Sequence, residues 1–299
     1  MTSPLTLFHV DVFATGPLTG NGLTVFLNAD HWPASAMQSL TQEMRQFESI
    51  FLSAISSVGA VARIFTVEEE LPFAGHPILG AAAVLHRTQA PLAESCSWVL
   101  ALPHAKIAVT TIMRGTHYLC EMNQGKPILG ASIPDTALTP ILTRLGLSKA
   151  DFVTGMDAQV ISTGLPYLIV PVSPAALARA KINGTDLEAQ LEMLRAKFVL
   201  VLAIDGREMR TWDNLGRVED VATGSAAGPA AAYLLARGLA STKHPIELAQ
   251  GRFAGRPSKI TVIQDQDRNI LVRGAVWPVS HGTLDVDPLT LSGHGEDAL

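Results

Sequence analysis

The stretch EDVATGSAAGPAAAYLL (219–235) constrains the fold more than any other part of the sequence. Two carboxylates and the turn Thr223-Gly224-Ser225 precede a run of small residues that has the length of a helix. A helix without a polar face is stable in water only when other elements cover all of its sides. The sequence therefore predicts a central, fully buried helix with strands wrapped closely around it.

A second segment, AGHPILGAAAVL (74–85), is similar to ATGSAAGPAAAY (222–233). In this alignment Ala74 lies over Ala222 and Gly80 over Gly228, with two further alanine matches. Alanine-rich helices match easily by chance, but each copy also follows a strand-like run and a short turn. This shared context favours a duplicated domain.

Short runs of β-branched and aromatic residues, separated by Gly and Pro, predict many strands along the rest of the chain. Helices are predicted at 35–47, with Ser35 as the N-cap, at 137–146 and near 184–196. No regular β–α–β alternation is present, which predicts the α+β class with antiparallel sheets.

The segment NQGKPILGASIPD (123–135) is rich in Gly and Pro and is the predicted linker. We therefore expect two domains, residues 1–126 and residues 127–299. The last strand is a candidate to cross back to the first domain.

The composition argues against several classes of partner. The 299 residues are 47% hydrophobic and 16% charged, which supports a large core, and the net charge is −5 with no basic block. Nucleic acid is therefore not an expected partner. No apolar run reaches the roughly 18–20 residues of a membrane helix, so no membrane partner is expected either.

The sequence also predicts a cytoplasmic protein. The first residues lack the positively charged region of a signal peptide. Cys96 and Cys120 are the only cysteines, which predicts a reducing compartment and no disulfide framework.

The start of each predicted central helix suits an anion. Backbone N–H groups there are unpaired and carry a partial positive charge, and small residues such as Gly224 and Ser225 let a ligand approach them. Asp220 adds more polar character than a simple cap requires. Gly75 and His76 offer a similar arrangement before the other helix. The alternative is a capped core helix that binds no ligand.

Glu48 stands beside Phe47, Ile50 and Phe51, where a predicted helix gives way to an apolar strand. Partial burial would raise the pKa of this carboxyl group toward a value that is useful in proton transfer. The alternative is an acidic residue at a helix end that points into water, which is the commoner arrangement for a single glutamate.

Other motifs indicate no cofactor. The run GPLTGNG lacks the Lys-Ser/Thr pair and the spacing of nucleotide-binding loops, and there is no G-x-S-x-G elbow. The nine histidines include no HExxH motif and have no C-x-x-C partners. We therefore expect neither a metal nor another cofactor.

Several segments together carry a resemblance to a known family: DVFATGPLTGNGLTVF (11–26), EMRQFESIFL (43–52), ARIFTVEEELPFAGHPILGAAAVL (62–85), ISTGLPYLIVPV (161–172), VEDVATGSAAG (218–228) and QGRFAGRPSKITV (250–262). The chain resembles the PhzF-like phenazine-biosynthesis proteins, which have the diaminopimelate-epimerase-like fold. This resemblance implies two similar domains, each a curled, mostly antiparallel sheet or barrel around a central helix, with the active site between them. It further implies that Glu48 is the catalytic acid/base and that the other active-site positions are Asn21, Gly75, His76, Asp220, Gly224 and Ser225.

Two features depart from the family pattern. The thiol-dependent epimerases of this fold carry a cysteine at each helix start, where this chain has Ala74 and Ala222, so a two-thiol mechanism is not available. The family commonly has Ser-Glu-Thr around its acid, whereas this chain has Phe47-Glu48-Ser49. The missing polar group places the family's best-known substrate, a dihydro-hydroxyanthranilate, in doubt.

We interpret the chain as a cofactor-independent isomerase, a homodimer, in which Glu48 moves a proton within a small, anionic, cyclic or amino-acid-like metabolite. His76 and Asp220 are expected to orient the amine or hydroxyl group of this substrate, and the residues at the helix starts to bind its carboxylate. Two alternatives stay open: an epimerase or racemase that uses carboxylate bases, and a binding or scaffold protein that has lost turnover.

Overall fold

A computed structural model describes residues 5–290, and the chain divides into two units. The first unit comprises the described residues up to Met122 together with those from Gly274 onwards, and the second comprises Asn123–Arg273. Strand β17 (Ile270–Thr283) begins in the second unit and continues into the first.

The first unit contains two α-helices and eight strands besides β17. The helices are α1 (Ala34–Met44) and α2 (Gly75–Gln89), and a 3₁₀ turn spans Pro288–Thr290. The strands are β1 (Thr6–Val12), β2 (Asn21–Phe26), β3 (Glu48–Ser56), β4 (Gly59–Thr66), β5 (Glu70–Leu71), β6 (Ser95–Ala101), β7 (Lys106–Arg114) and β8 (His117–Asn123).

Eight strands of this unit form a closed ring. β1 is antiparallel to β2, β2 is parallel to β3, β3 is antiparallel to β4, and β4 is parallel to β6. β6, β7 and β8 form an antiparallel meander, and β17 pairs with both β8 and β1. Helix α2 contacts β1, β2, β3, β6 and β7, which places it inside the ring.

The second unit contains four α-helices and eight further strands. The helices are α3 (Asp135–Arg144), α4 (Pro174–Arg179), α5 (Leu187–Met193) and α6 (Gly224–Ala236), with 3₁₀ turns at Lys149–Asp151 and Arg252–Ala254. The strands are β9 (Ile128–Ser132), β10 (Gln159–Ser162), β11 (Pro166–Val172), β12 (Phe198–Ala203), β13 (Glu208–Trp212), β14 (Glu219–Asp220), β15 (Ile246–Gln250) and β16 (Ser258–Gln264). In the described part of the chain, no helix has the length and the apolar composition that crossing a membrane requires.

The second unit repeats the strand pairing of the first in the same order. β10 is antiparallel to β11, β11 is parallel to β12, β12 is antiparallel to β13, and β13 is parallel to β15. β15, β16 and β17 then follow as an antiparallel meander, and α6 contacts β10, β11, β12 and β16. The predicted α+β class is therefore confirmed, with two similar units that each curl a mostly antiparallel sheet around a central helix.

The duplication is confirmed, but the alignment of the two helix starts is wrong by one residue. Helix α2 begins at Gly75 with Ala74 as the N-cap, and α6 begins at Gly224 with Thr223 as the N-cap. Thr223, not Ala222, is therefore the counterpart of Ala74. Matches between alanines cannot fix the register, because any alanine of one such helix aligns with many in the other.

Helices α2 and α6 are buried along almost their whole length, as the alanine-rich sequences predict. Gly80 shows how closely the strands approach α2. A Cβ atom at this position would overlap Leu23 Cδ2 and would lie 3.2 Å from both Val10 Cγ2 and Val12 Cγ2. Gly228 in α6 is packed equally closely, against the side chains of Gln124 and Thr163. The small residues therefore let the surrounding chain pack tightly on each helix.

Other local predictions differ from the structure in their bounds. Helix α1 has Pro33 rather than Ser35 as its N-cap, and Arg45, in the left-handed conformation, ends it before Phe47. Helix α3 begins and ends two residues earlier than predicted, and α5 is shorter than predicted. Helix α4 is too short to leave a periodic signal in the sequence.

The predicted linker 123–135 is largely structured. Residues Ile128–Ser132 form β9, which is antiparallel to β10. The backbone groups of Gln124 and Gly125 form hydrogen bonds with Ile270. The Gly and Pro residues of this segment therefore flank a strand.

Replacing Gly80 with alanine is expected to destabilise the protein, although alanine is the better helix former by about 1 kcal/mol. The added methyl group must displace Leu23 and the neighbouring valines inside the ring. Overpacking of a core costs about 1–3 kcal/mol, so the midpoint of urea unfolding should fall.

Gly282→Ala is the matched control, because a Cβ at Gly282 meets open space. This variant should unfold at the wild-type midpoint. Equal midpoints for Gly80→Ala and Gly282→Ala would contradict the tight packing of strands on α2.

Candidate active site

Glu48 is the first residue of β3, directly after the turn that follows α1. It lies in register with Leu23 on β2 and Thr66 on β4, and it is only 5% exposed. Its carboxylate reaches helix α2 inside the ring. The alternative of an acidic residue that points into water is therefore wrong.

Predicted site residues meet at the start of α2. His76, the second residue of the helix, is 3% exposed, and its Nδ1 lies 3.0 Å from Glu48 Oε2. The same ring nitrogen lies 3.3 Å from Nδ2 of Asn21, the first residue of β2. Gly75 begins the helix. The first unit thus brings Asn21, Glu48, Gly75 and His76 into one buried cluster.

The imidazole of His76 is neutral. Burial lowers its pKa from 6.5 to about 3, because a charged ring would lose its hydration in this position. A neutral imidazole carries one proton, on either Nδ1 or Nε2. The buried Nε2 makes no hydrogen bond within residues 5–290. A buried ring nitrogen without a protein partner is available to a ligand.

The backbone at the start of α2 also offers donors. Among the described residues, no acceptor is hydrogen-bonded to the N–H groups of Gly75 and His76, and Ala74 has no side chain that caps the helix. Unpaired N–H groups and the helix dipole together favour an anion. This helix start therefore has the properties that the sequence predicts.

Asp220 belongs to the corresponding cluster of the second unit. It ends β14, is 5% exposed, and accepts hydrogen bonds from the Thr223 hydroxyl and the Ala222 N–H. Gln250 on β15 accepts from the Thr223 N–H and donates to Thr223 Oγ1, both at 2.9 Å. It also donates to the Asp220 carbonyl at 2.7 Å and to Thr211 Oγ1 at 3.2 Å. Residues from two strands, β13 and β15, and from one helix start thus hold Asp220.

The amide nitrogen of Gln250 decides which hydroxyl oxygens accept in this network. The amide nitrogen of Gln250 can only donate, so the hydroxyl oxygens of Thr211 and Thr223 accept from it. Thr223 donates its own proton to Asp220, which explains why its side chain does not cap α6. The carboxylate of Asp220 is therefore an acceptor fixed by surrounding donors.

Gly224 and Ser225 begin α6 beside this network. Their N–H groups make no hydrogen bond to any described residue, as at the start of α2. The Gly224 carbonyl accepts from Gln124 Nε2 at 2.9 Å. Ser225 Oγ lies 2.8 Å from the hydroxyl of Tyr167 on β11. The second helix start thus combines unused backbone donors with buried hydroxyl groups.

Sequence reasoning misses Thr211, Gln250 and Tyr167. Their partners are distant in sequence: Gln250 lies 27 residues from Thr223, and Tyr167 lies 58 residues from Ser225. Two of the three do fall within family-like segments, Tyr167 in ISTGLPYLIVPV and Gln250 in QGRFAGRPSKITV. A polar residue inside a segment that resembles the family is therefore the sequence signal by which Tyr167 and Gln250 can be found.

The two cysteines lie away from both helix starts, Cys96 on β6 and Cys120 on β8. Both are free thiols, and burial raises the pKa of Cys120. In residues 5–290, no three His, Cys, Asp or Glu side chains are grouped closely enough to hold a metal ion. The groups that the two clusters offer are carboxylates, an imidazole, hydroxyls and backbone N–H groups.

Comparisons with known proteins identify the family and the fold of this chain. The family described as phenazine biosynthesis-like protein matches residues 10–282. A trans-2,3-dihydro-3-hydroxyanthranilate isomerase from Pseudomonas chlororaphis is 34% identical over 260 residues, which cover 83% of this chain and 86% of that protein. The solved structure of a predicted epimerase from Pseudomonas aeruginosa is 46% identical, with a TM-score of 0.90 over 95% of this chain and 100% of that chain. A PhzF-family protein from Bacillus anthracis shares the fold at 21% identity, with a TM-score of 0.80 over 95% of this chain and 100% of that chain.

His76 makes the stability of the protein depend on pH in a defined direction. In the unfolded chain the imidazole binds a proton near its ordinary pKa of about 6.5. In the folded chain it does so only near pH 3. The folded state therefore loses stability as the pH falls from about 6.5 toward 3, by up to about 1.4 kcal/mol per pH unit. His76→Asn should lose less stability than the wild type between about pH 7 and about pH 4.5.

Urea unfolding at the two pH values measures this difference. His104→Asn, at an exposed position, is the control and should keep the wild-type pH dependence. If His76→Asn also keeps the pH dependence of wild-type stability, His76 is not buried as a neutral ring.

Proposed function

This chain belongs to the phenazine biosynthesis-like protein family and is an isomerase, and we propose that it moves a proton between two atoms of a small cyclic amino-carboxylate. Glu48 is the acid/base of this reaction. It takes a proton from a carbon atom that a neighbouring double bond or carbonyl activates, and it returns the proton to another atom of the same conjugated system.

The observation that supports this role is the buried contact between Glu48 and the neutral His76. The ring nitrogen Nδ1 lies 3.0 Å from Glu48 Oε2, and the ring carries no charge. His76 therefore adds no competing charge beside Glu48 when the carboxyl group takes up or releases the proton. One carboxyl group can then serve both steps while the substrate stays in place.

Asp220 is proposed to orient the amine of the substrate. It is a buried acceptor that Thr223, Ala222 and Gln250 hold in position. A fixed carboxylate binds a substrate ammonium or hydroxyl group through a charge-assisted hydrogen bond. Asn21 and His76 would contact a second polar group of the substrate, the latter through Nε2.

The helix starts are proposed to bind the carboxylate of the substrate. The N–H groups of Gly75, Gly224 and Ser225 are the donors, and the dipoles of α2 and α6 favour the negative charge.

The substrate is proposed as a class rather than as one compound. The relative from Pseudomonas chlororaphis is a trans-2,3-dihydro-3-hydroxyanthranilate isomerase, and its substrate is a cyclic amino-carboxylate. The resemblance implies a serine where this chain has Phe47, directly before Glu48. This difference is the reason for proposing a class of substrate and not the compound of that relative.

Epimerisation is a second candidate, because the Pseudomonas aeruginosa structure with 46% identity is a predicted epimerase. Such a reaction would invert one carbon atom without thiols, since Ala74 and Thr223 are the N-caps of the two central helices. In deuterated water an epimerase labels the carbon that it inverts. An isomerase of the proposed kind moves a double bond, and any deuterium that Glu48 has exchanged with the solvent enters the product at a different atom.

We also propose that the protein acts in the cytoplasm as a homodimer. The two unpaired thiols support a reducing compartment. Size-exclusion chromatography with light scattering tests the oligomeric state.

Glu48→Gln is expected to lower kcat by at least about 100-fold, because the amide keeps the shape of the side chain but cannot transfer the proton. The assay is proton NMR in deuterated water with a panel of cyclic amino-carboxylates that includes trans-2,3-dihydro-3-hydroxyanthranilate. Binding of the same compounds should change little.

Glu43→Gln is the matched control, since Glu43 is an exposed residue of α1 in the same unit. It should retain wild-type kcat. A Glu48→Gln variant whose kcat stays within threefold of the wild type would contradict the proposed function.

A further inference from the structure

We propose that Tyr167 is a positioning residue of the carboxylate site. Its hydroxyl donates to Ser225 Oγ, so that the proton of Ser225 points toward the carboxylate of the substrate. This inference rests on the proposed function of Ser225. It adds a residue of β11 to the site and a reason why Ser225 acts as a donor.

The contact between the two hydroxyl groups is buried. Tyr167 is 2% exposed and Ser225 is 7% exposed, and their oxygen atoms lie 2.8 Å apart. Tyr167 is the second residue of β11, and its ring packs against Phe198 on the parallel strand β12. The phenol is therefore held in place by the sheet while Ser225 is held by the helix.

Only one of the two hydroxyl groups can donate in this contact. If Ser225 donated to Tyr167, it would present only lone pairs at the helix start, and these repel an anion. If Tyr167 donates, the Ser225 proton stays available for a carboxylate oxygen. The phenol is the more acidic group and hence the better donor. A chain of donors that ends on an anion is further strengthened by mutual polarisation.

The helix start favours the same direction. The N–H groups of Gly224 and Ser225 make no hydrogen bond within residues 5–290, and the dipole of α6 adds partial positive charge. The Ser225 hydroxyl is then a third donor beside these two N–H groups. A carboxylate has enough lone pairs to accept from all three.

The first unit contains a parallel arrangement. The second residue of α2, His76, contacts the buried Glu48 of β3. The second residue of α6, Ser225, contacts the buried Tyr167 of β11. In each unit, a buried strand residue thus contacts the polar side chain at the second position of the central helix. In the first unit the pair contains the proposed acid/base, and in the second the pair can only direct a proton.

The probe for the test is 3-hydroxyanthranilate, an aromatic cyclic amino-carboxylate that has no proton to shift. Its counterpart without the carboxylate is 2-aminophenol. Tyr167→Phe should weaken binding of 3-hydroxyanthranilate about tenfold in calorimetry, because the Ser225 hydroxyl loses its fixed direction. Affinity for 2-aminophenol should stay unchanged.

Tyr233→Phe is the matched control. Tyr233 is a buried tyrosine of α6 whose hydroxyl donates to the Asp157 carbonyl at 2.8 Å. This variant also loses one buried hydrogen bond, so it reports the cost to the fold alone. Its affinity for 3-hydroxyanthranilate should equal that of the wild type.

A double-mutant cycle with Ser225→Ala separates the possible outcomes. If Tyr167 acts through Ser225, adding Tyr167→Phe to Ser225→Ala should cause no further loss. Wild-type affinity of Tyr167→Phe, or an undiminished loss in the Ser225→Ala background, would overturn the inference. If Ser225→Ala itself binds 3-hydroxyanthranilate like the wild type, the proposed carboxylate role of Ser225 fails instead, and Tyr167 loses its function with it.

Discussion

The packing of a helix made of small residues inside a ring of strands is the constraint on which the rest of the structure depends. Gly80 leaves no room for a Cβ atom between α2 and the strand residue Leu23, and Gly228 leaves none between α6 and the side chains of Gln124 and Thr163. This packing buries the helix starts together with the residues that begin the neighbouring strands. Backbone N–H groups that are exposed to water in most helices are here buried beside Glu48 or Asp220, where electrostatic interactions are stronger than in water.

The two units use the same scaffold for different chemistry. The short strand before each central helix occupies the same place in the pairing: Leu71 on β5 pairs with Ile64, and Asp220 on β14 pairs with Thr211. An apolar residue in one unit thus corresponds to a carboxylate in the other. The first unit offers a carboxyl group beside a neutral imidazole, which suits proton transfer. The second offers a fixed carboxylate and hydroxyl donors, which suit binding and orientation.

Much of the fold follows from local patterns in the sequence. The alanine-rich runs predict the two buried helices correctly, and the apolar residues after Glu48 predict its burial. The register between the repeats is not encoded locally, so the sequence alignment places Ala222 where the structure has Thr223. The polar partners of the site are also invisible to local patterns, because Gln250 and Tyr167 are brought to the helix start only by strand pairing. Sequence reasoning thus finds the residues at the helix starts and misses those that hold them.

The central claim is that Glu48 is buried beside a neutral imidazole. Nitrogen NMR of protein with ¹⁵N-labelled histidine tests it most directly, with the His76 signals assigned by their loss in His76→Asn. The account predicts one protonated and one unprotonated ring nitrogen from about pH 8 down to about pH 4.5, since burial keeps the pKa of His76 near 3. Protonation of both ring nitrogens with a midpoint near the ordinary value of about 6.5 would contradict it.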